Sequence, residues 1–73
     1  MKSSETKIRL LATEKLLRDN PQGMTLKQIV AYLDLQFNIS VERKTVYDDV
    51  HCLTLLYDVQ IIRKNGKTIY VMR

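Results

Sequence analysis

The sequence holds one cysteine, one histidine, one proline and two glycines among its 73 residues. A single cysteine excludes an internal disulfide, and one histidine with one cysteine cannot complete a structural metal site. Stability is therefore expected from packing alone, in a chain close to the smallest size at which a core suffices, with a partner chain as the remaining source of help. A reduced, intracellular setting fits this cysteine usage. No apolar run approaches the ~20 residues that cross a bilayer, and no signal-peptide pattern opens the chain. A glycine-rich phosphate loop, an activated nucleophile and a metal-ligand set are all missing, so neither catalysis nor a cofactor is expected.

What is present is an ordinary globular composition, 45% apolar, with a formal net charge of +4 that is compatible with a polyanionic partner. No linker, low-complexity tract or repeat divides the chain, so one domain is expected over residues 1–73. The proline and both glycines fall in two places, Asn20-Pro21-Gln22-Gly23 and Asn65-Gly66. The residues before the first of these, about 4–19, are rich in helix formers, with Ser3 or Ser4 available as a cap and Glu5 suited to the positive end of the helix dipole. Two apolar edges are expected on this helix: Ile8, Leu11, Ala12 and Leu16 on one, Leu10 and Leu17 on the other.

A second helix is predicted over about 26–37. Thr25 and Gln28 have capping-box spacing, and Leu26, Ile29, Val30, Leu33 and Phe37 form one apolar stripe. Ile39 and Val41 alternate as a very short strand would. A third helix is predicted over about 42–56, with Val46, Asp49, Val50, Leu53, Leu56 and Tyr57 on one face and Lys44, Tyr47, Asp48 and His51 on the other. Cys52 is expected as a small packing residue. Two β-branched runs over about 59–72 flank Asn65-Gly66, the preferred two-residue type I′ hairpin turn. The fold expected is mainly α with a small β-hairpin: three helices and a two- or three-stranded wing, a winged helix-turn-helix.

In that layout the third helix enters the DNA major groove and the preceding helix braces it across the backbone. Arg43 and Lys44 stand in the first turn of the third helix, where an arginine can bond guanine O6 and N7. Thr45 can bond phosphate or cap the helix. Tyr47 is an outward aromatic with a hydroxyl suited to phosphate, packing on Tyr32 or the wing being the alternative. His51 shares that face. Residues 42–49 sum to −1, whereas residues 58–73 sum to +3. Most attraction for phosphate is therefore expected from Arg63, Lys64, Asn65, Gly66 and Lys67 at the wing tip, assisted by Thr25, Lys27 and Gln28 at the start of the second helix. Adjacent Asp48 and Asp49 point about 100° apart on a helix, so they do not converge as an acid–base pair. Asp49 falls inward, where it would accept from backbone N–H groups or pair with a basic side chain of the first or second helix.

The run TLKQIVAYLDLQFNISVERKTVYDDVHCL resembles the N-terminal domain of WYL-domain transcriptional regulators, within the DeoR-like winged-helix group. The resemblance is carried by Thr25, Leu26 and Ile29, then by Arg43, Lys44, Thr45, Val46, Asp49, Val50 and Leu53. It implies sequence-specific binding of double-stranded DNA in transcription regulation, in a prokaryotic cytoplasm and on the nucleoid, commonly as a dimer, and with a sensing domain following this module. Three positions depart from the family pattern. Glu42 stands where serine is frequent, Asp48 where arginine is frequent, and Tyr57-Asp58 where a glycine often closes the helix.

Leu35 and Leu55 point outward, and together with the edges of the first helix they exceed what a chain this short can bury. A homodimer is the first expectation for that surface and an absent C-terminal domain the second. A rival reading, a winged-helix protein-interaction module such as an anti-repressor or assembly domain, would use these leucines and leave the third helix free of DNA.

Overall fold

The computed structural model describes residues 2–73, with side chains from residue 5 onward. Three helices, α1 (Lys2–Asp19), α2 (Leu26–Phe37) and α3 (Arg43–Leu53), precede an antiparallel hairpin of β1 (Val59–Lys64) and β2 (Lys67–Met72). This is the mainly helical, winged helix-turn-helix topology that the sequence predicts. α1 already runs through Ser3 and Ser4, ahead of the expected start at about residue 4, so neither stands at the expected cap position.

α2 begins where its capping box requires. The Gln28 N–H donates to Thr25 Oγ1 at 3.2 Å, and the Thr25 N–H donates to Gln28 Oε1 at 2.9 Å, so two otherwise free amide groups are satisfied. The helix ends at Asn38, which takes the left-handed conformation (φ 55°, ψ 36°) that asparagine tolerates better than most residues. That turn sends the Ile39 N–H back to the Leu33 carbonyl at 3.1 Å and drops Ile39 into the core. Ile39 is thus a core anchor, and residues 39–41 form no strand. Phe37, expected on the buried stripe, is 42% exposed. As the last residue of α2 it turns onto Tyr32 instead, edge to face with centroids 5.8 Å apart.

The core gathers Leu17, Ile29, Leu33, Val46 and Val50, all fully buried, with Ala12, Leu16, Leu53 and Tyr70 around them. On α1 the buried line runs through Ala12, Thr13, Leu16 and Leu17, and it draws on both predicted apolar edges. Ile8 and Leu11 stay in solvent. Thr13 is fully buried because its hydroxyl donates to the Arg9 carbonyl one turn back, at 2.8 Å.

α3 stops at Leu53, three residues short of the predicted end. The Thr54 hydroxyl donates to the His51 carbonyl, and the Leu55 and Leu56 amides bond three residues back rather than four. This tightening rotates Leu55 and Leu56 outward, to 82% and 77% exposure. Leu56, expected on the inner face, is therefore a surface residue, and Cys52, expected to pack, is exposed as well. Tyr57 keeps its place against the core, with the Arg18 guanidinium 4.7 Å above its ring.

In the hairpin, Asn65 (φ 53°) and Gly66 (φ 76°) make the expected turn, and Lys64 pairs directly with Lys67. β2 is the inner strand, with Tyr70, Val71 and Met72 buried, whereas β1 is largely exposed. The other edge of β2 is met by Met24, not by residues 39–41. Met24 and Tyr70 exchange both amide hydrogen bonds, at 3.0 and 2.8 Å. Gly23 makes this possible. Its φ is +99°, and a Cβ there would stand 2.3 Å from Ile69 Cγ2 and 2.8 Å from Val71 Cγ2. The wing is thus pinned to the loop before α2, which ties its position to that of the helix pair.

Candidate nucleic-acid interface

α3 is oriented by apolar packing and by one ion pair. Val46, Val50 and Leu53 fill the core side, and Asp49 lies among them at 8% exposure. Its carboxylate accepts from Arg9 of α1 through two parallel bonds, Nε to Oδ2 at 2.5 Å and Nη2 to Oδ1 at 3.2 Å. The bidentate fork satisfies a carboxylate that would otherwise be costly to bury, and it fixes the roll of α3 against α1. The hydrogen bond to Asp49 also raises the Arg9 pKa above its already high ordinary value. Of the two partners considered for Asp49 in the sequence, a basic side chain of the first or second helix is the one found.

With Asp49 held inward, Lys44, Asp48 and His51 lie on the opposite, solvent side of α3, with Tyr47 beside them. The Tyr47 and His51 rings are 4.3 Å apart and tilted by 58°. Tyr47 also lies near β2: burial pushes the Tyr70 hydroxyl pKa up, and Tyr47 adds a smaller push in the same direction. The ring that Tyr47 itself meets is His51, while Tyr32, one of its expected partners, is taken by Phe37.

The start of α2, the start of α3 and the wing tip converge on one open cleft of about 520 Å³. Thr25, Lys27, Gln28, Arg43, Gly66 and Lys67 line it. These six come from three separate segments that the sequence analysis had singled out. Leu26 and Thr68 complete the lining and were missed; the pairing of Arg63 with Thr68, set by the Asn65-Gly66 turn, carried the signal for the second. Arg63, Lys64 and Asn65 stand exposed at the same hairpin end without lining the cleft. Thr45 is not brought there. It lines a second cleft on the α1 side, with Arg9, Ser40 and Glu42.

The electrostatics of the two sides differ. The three ion pairs among the described residues, Arg9–Asp49, Lys15–Asp19 and Arg18–Glu14, all involve α1. The cations around the cleft, Lys27, Arg43, Lys44, Arg63, Lys64 and Lys67, have no ion-pair partner among the described residues. Lys64 and Lys67 even face each other across the hairpin, an arrangement that costs stability unless an anion lies between or beside them. The arrangement can hold a polyanion along the cleft and offer the outer face of α3 to whatever that polyanion presents. No group of His, Cys, Asp or Glu suited to a metal ion occurs among the described residues. No helix described is long and apolar enough to cross a membrane. The chain matches no protein-family model, no curated protein and no solved structure.

Proposed function

We propose that this protein binds double-stranded DNA and regulates transcription, with α3 in the major groove and the wing on the backbone or in the minor groove. The observation that carries the reading is the set of unpaired cations from α2, α3 and the hairpin around a single cleft. Lys27 and Lys67, with the α2 amino-terminus, hold phosphates; Arg43 and Lys44 address base edges; Tyr47 contributes its hydroxyl. The resemblance to the DNA-binding domain of WYL-domain, DeoR-like regulators supports the same assignment, and with it a dimer or a further sensing domain. Titrating ¹⁵N-labelled protein with a duplex tests it. Amide shifts should move at residues 25–28, 43–51 and 63–68, and stay still along the outer face of α1.

A protein-interaction module is the second reading, and the exposure of Leu35, Leu55 and Leu56 at 77–82% favours it. In that case the duplex leaves the spectrum unchanged, and self-association or a partner protein moves residues 35 and 54–56.

A further inference from the structure

We infer that Asp48 is a specificity-determining residue that selects cytosine through its N4 amino group; this rests on the DNA-binding reading above. Asp48 is exposed and makes no hydrogen bond or ion pair among the described residues. Its neighbour Asp49 is anchored to Arg9, and that anchor fixes the roll that turns Asp48 outward. At about 100° per residue, Asp48 lies with Lys44 opposite the buried line of Val46, Val50 and Leu53. It therefore sits near the middle of the face that enters the groove, and not at its rim. Lys44 lies one turn earlier and forms no ion pair with it.

A carboxylate in that place loses water when the helix docks, and it can only accept hydrogen bonds. Guanine N7 and O6, adenine N7 and thymine O4 are acceptors and repel it. Two donors face the major groove, adenine N6 and cytosine N4. The groove-facing adenine N6–H lies beside the N7 lone pair of the same ring, whereas the groove-facing cytosine N4–H lies beside C5–H, with the paired guanine O6 on its far side. Cytosine is the base that a carboxylate accommodates. Lys44 and Asp48 are four residues apart, or about 6 Å along the helix axis, close to two base-pair steps. A guanine read by Lys44 and a cytosine read by Asp48 are thus expected about two base pairs apart when α3 lies along the groove.

Selection from a randomised duplex library, sequenced for wild type, Asp48→Ala and Asp48→Asn, tests this directly. Wild type should enrich cytosine about tenfold at one position. Asp48→Ala should lose that preference and bind duplexes without the cytosine more tightly, because a carboxylate left without a donor has gone from the interface. Asp48→Asn should move the preference to adenine, since an amide matches N6 and N7 together. Replacing the selected cytosine with N4-methylcytosine, which turns the groove-facing N–H into a methyl group, should weaken wild type about tenfold and leave Asp48→Ala unaffected. The same preferred base in all three proteins overturns the role of Asp48 and leaves DNA binding standing. Failure of wild type to retain any duplex overturns both.

Discussion

Arg9 of α1 and Asp49 of α3, forty positions apart in the chain, form a two-bond ion pair on the inner side of α3. The pair turns one of two adjacent aspartates into an internal strut and leaves the other facing outward. Removing one partner strands a mostly buried charge. Arg9→Ala should cost about 2–4 kcal/mol in urea unfolding, less than the largest values for fully buried pairs because both side chains retain some exposure, 14% and 11%. Replacing both partners together, as Arg9→Met with Asp49→Leu, should recover most of that loss. The sign of the pH dependence follows from Arg9. Its folded-state pKa is raised, so its contribution is fully present below the unfolded-state value and is lost only as pH rises through the folded one, in strong alkali.

Gly23 lets the loop before α2 lie directly against the wing. Gly23→Ala combines a positive φ with a Cβ inside contact distance of Ile69 and Val71, so it should destabilise by about 2 kcal/mol or more. Gly66→Ala meets no neighbouring atom and should cost only about 1 kcal/mol, the conformational part. Thermal melts of the two variants side by side separate packing from backbone preference.

Thr25→Ala removes one half of the capping box and should cost about 1 kcal/mol of stability. The loss should be seen first as faster amide exchange in the opening turn of α2, at residues 26–28.

Lys64→Ala relieves the like-charge pairing with Lys67, so it should leave stability unchanged or raise it slightly. The same change should weaken duplex binding and reduce its salt dependence. Opposite effects on stability and binding in one variant would mark a residue retained for an anion.

Much of this was legible in the sequence for physical reasons. α2 and the hairpin were readable because local chemistry fixes their ends: a reciprocal cap at Thr25 and Gln28, and two positive-φ residues at Asn65-Gly66. The end of α3 was not, because Val50, Leu53, Leu56 and Tyr57 continue the apolar period while the stop comes from Thr54 bonding back to His51. Ile39 and Val41 alternate like a strand, but after a left-handed turn at Asn38 the chain needs an anchor there more than an extended run. What meets the other edge of β2 is a single residue, Met24, too short to leave a pattern. Within the candidate site, the cleft was foreseeable segment by segment, but its convergence depends on the Met24–Tyr70 bridge. The inward direction of Asp49 followed from helical spacing. The identity of its partner, a long-range choice, did not.

The central claim is that the cleft cations neutralise nucleic-acid phosphates. Duplex affinity measured by fluorescence anisotropy across a salt series, for wild type, Lys67→Ala and Arg43→Ala, tests it most directly. If three or four cations engage phosphates, log K should fall linearly with log salt with a slope of about −3 to −4. The slope should be shallower by roughly one unit in Lys67→Ala. Arg43→Ala should chiefly lose preference for one base position. Absence of duplex binding near 50 mM salt, or a slope that Lys67→Ala leaves unchanged, would contradict the account.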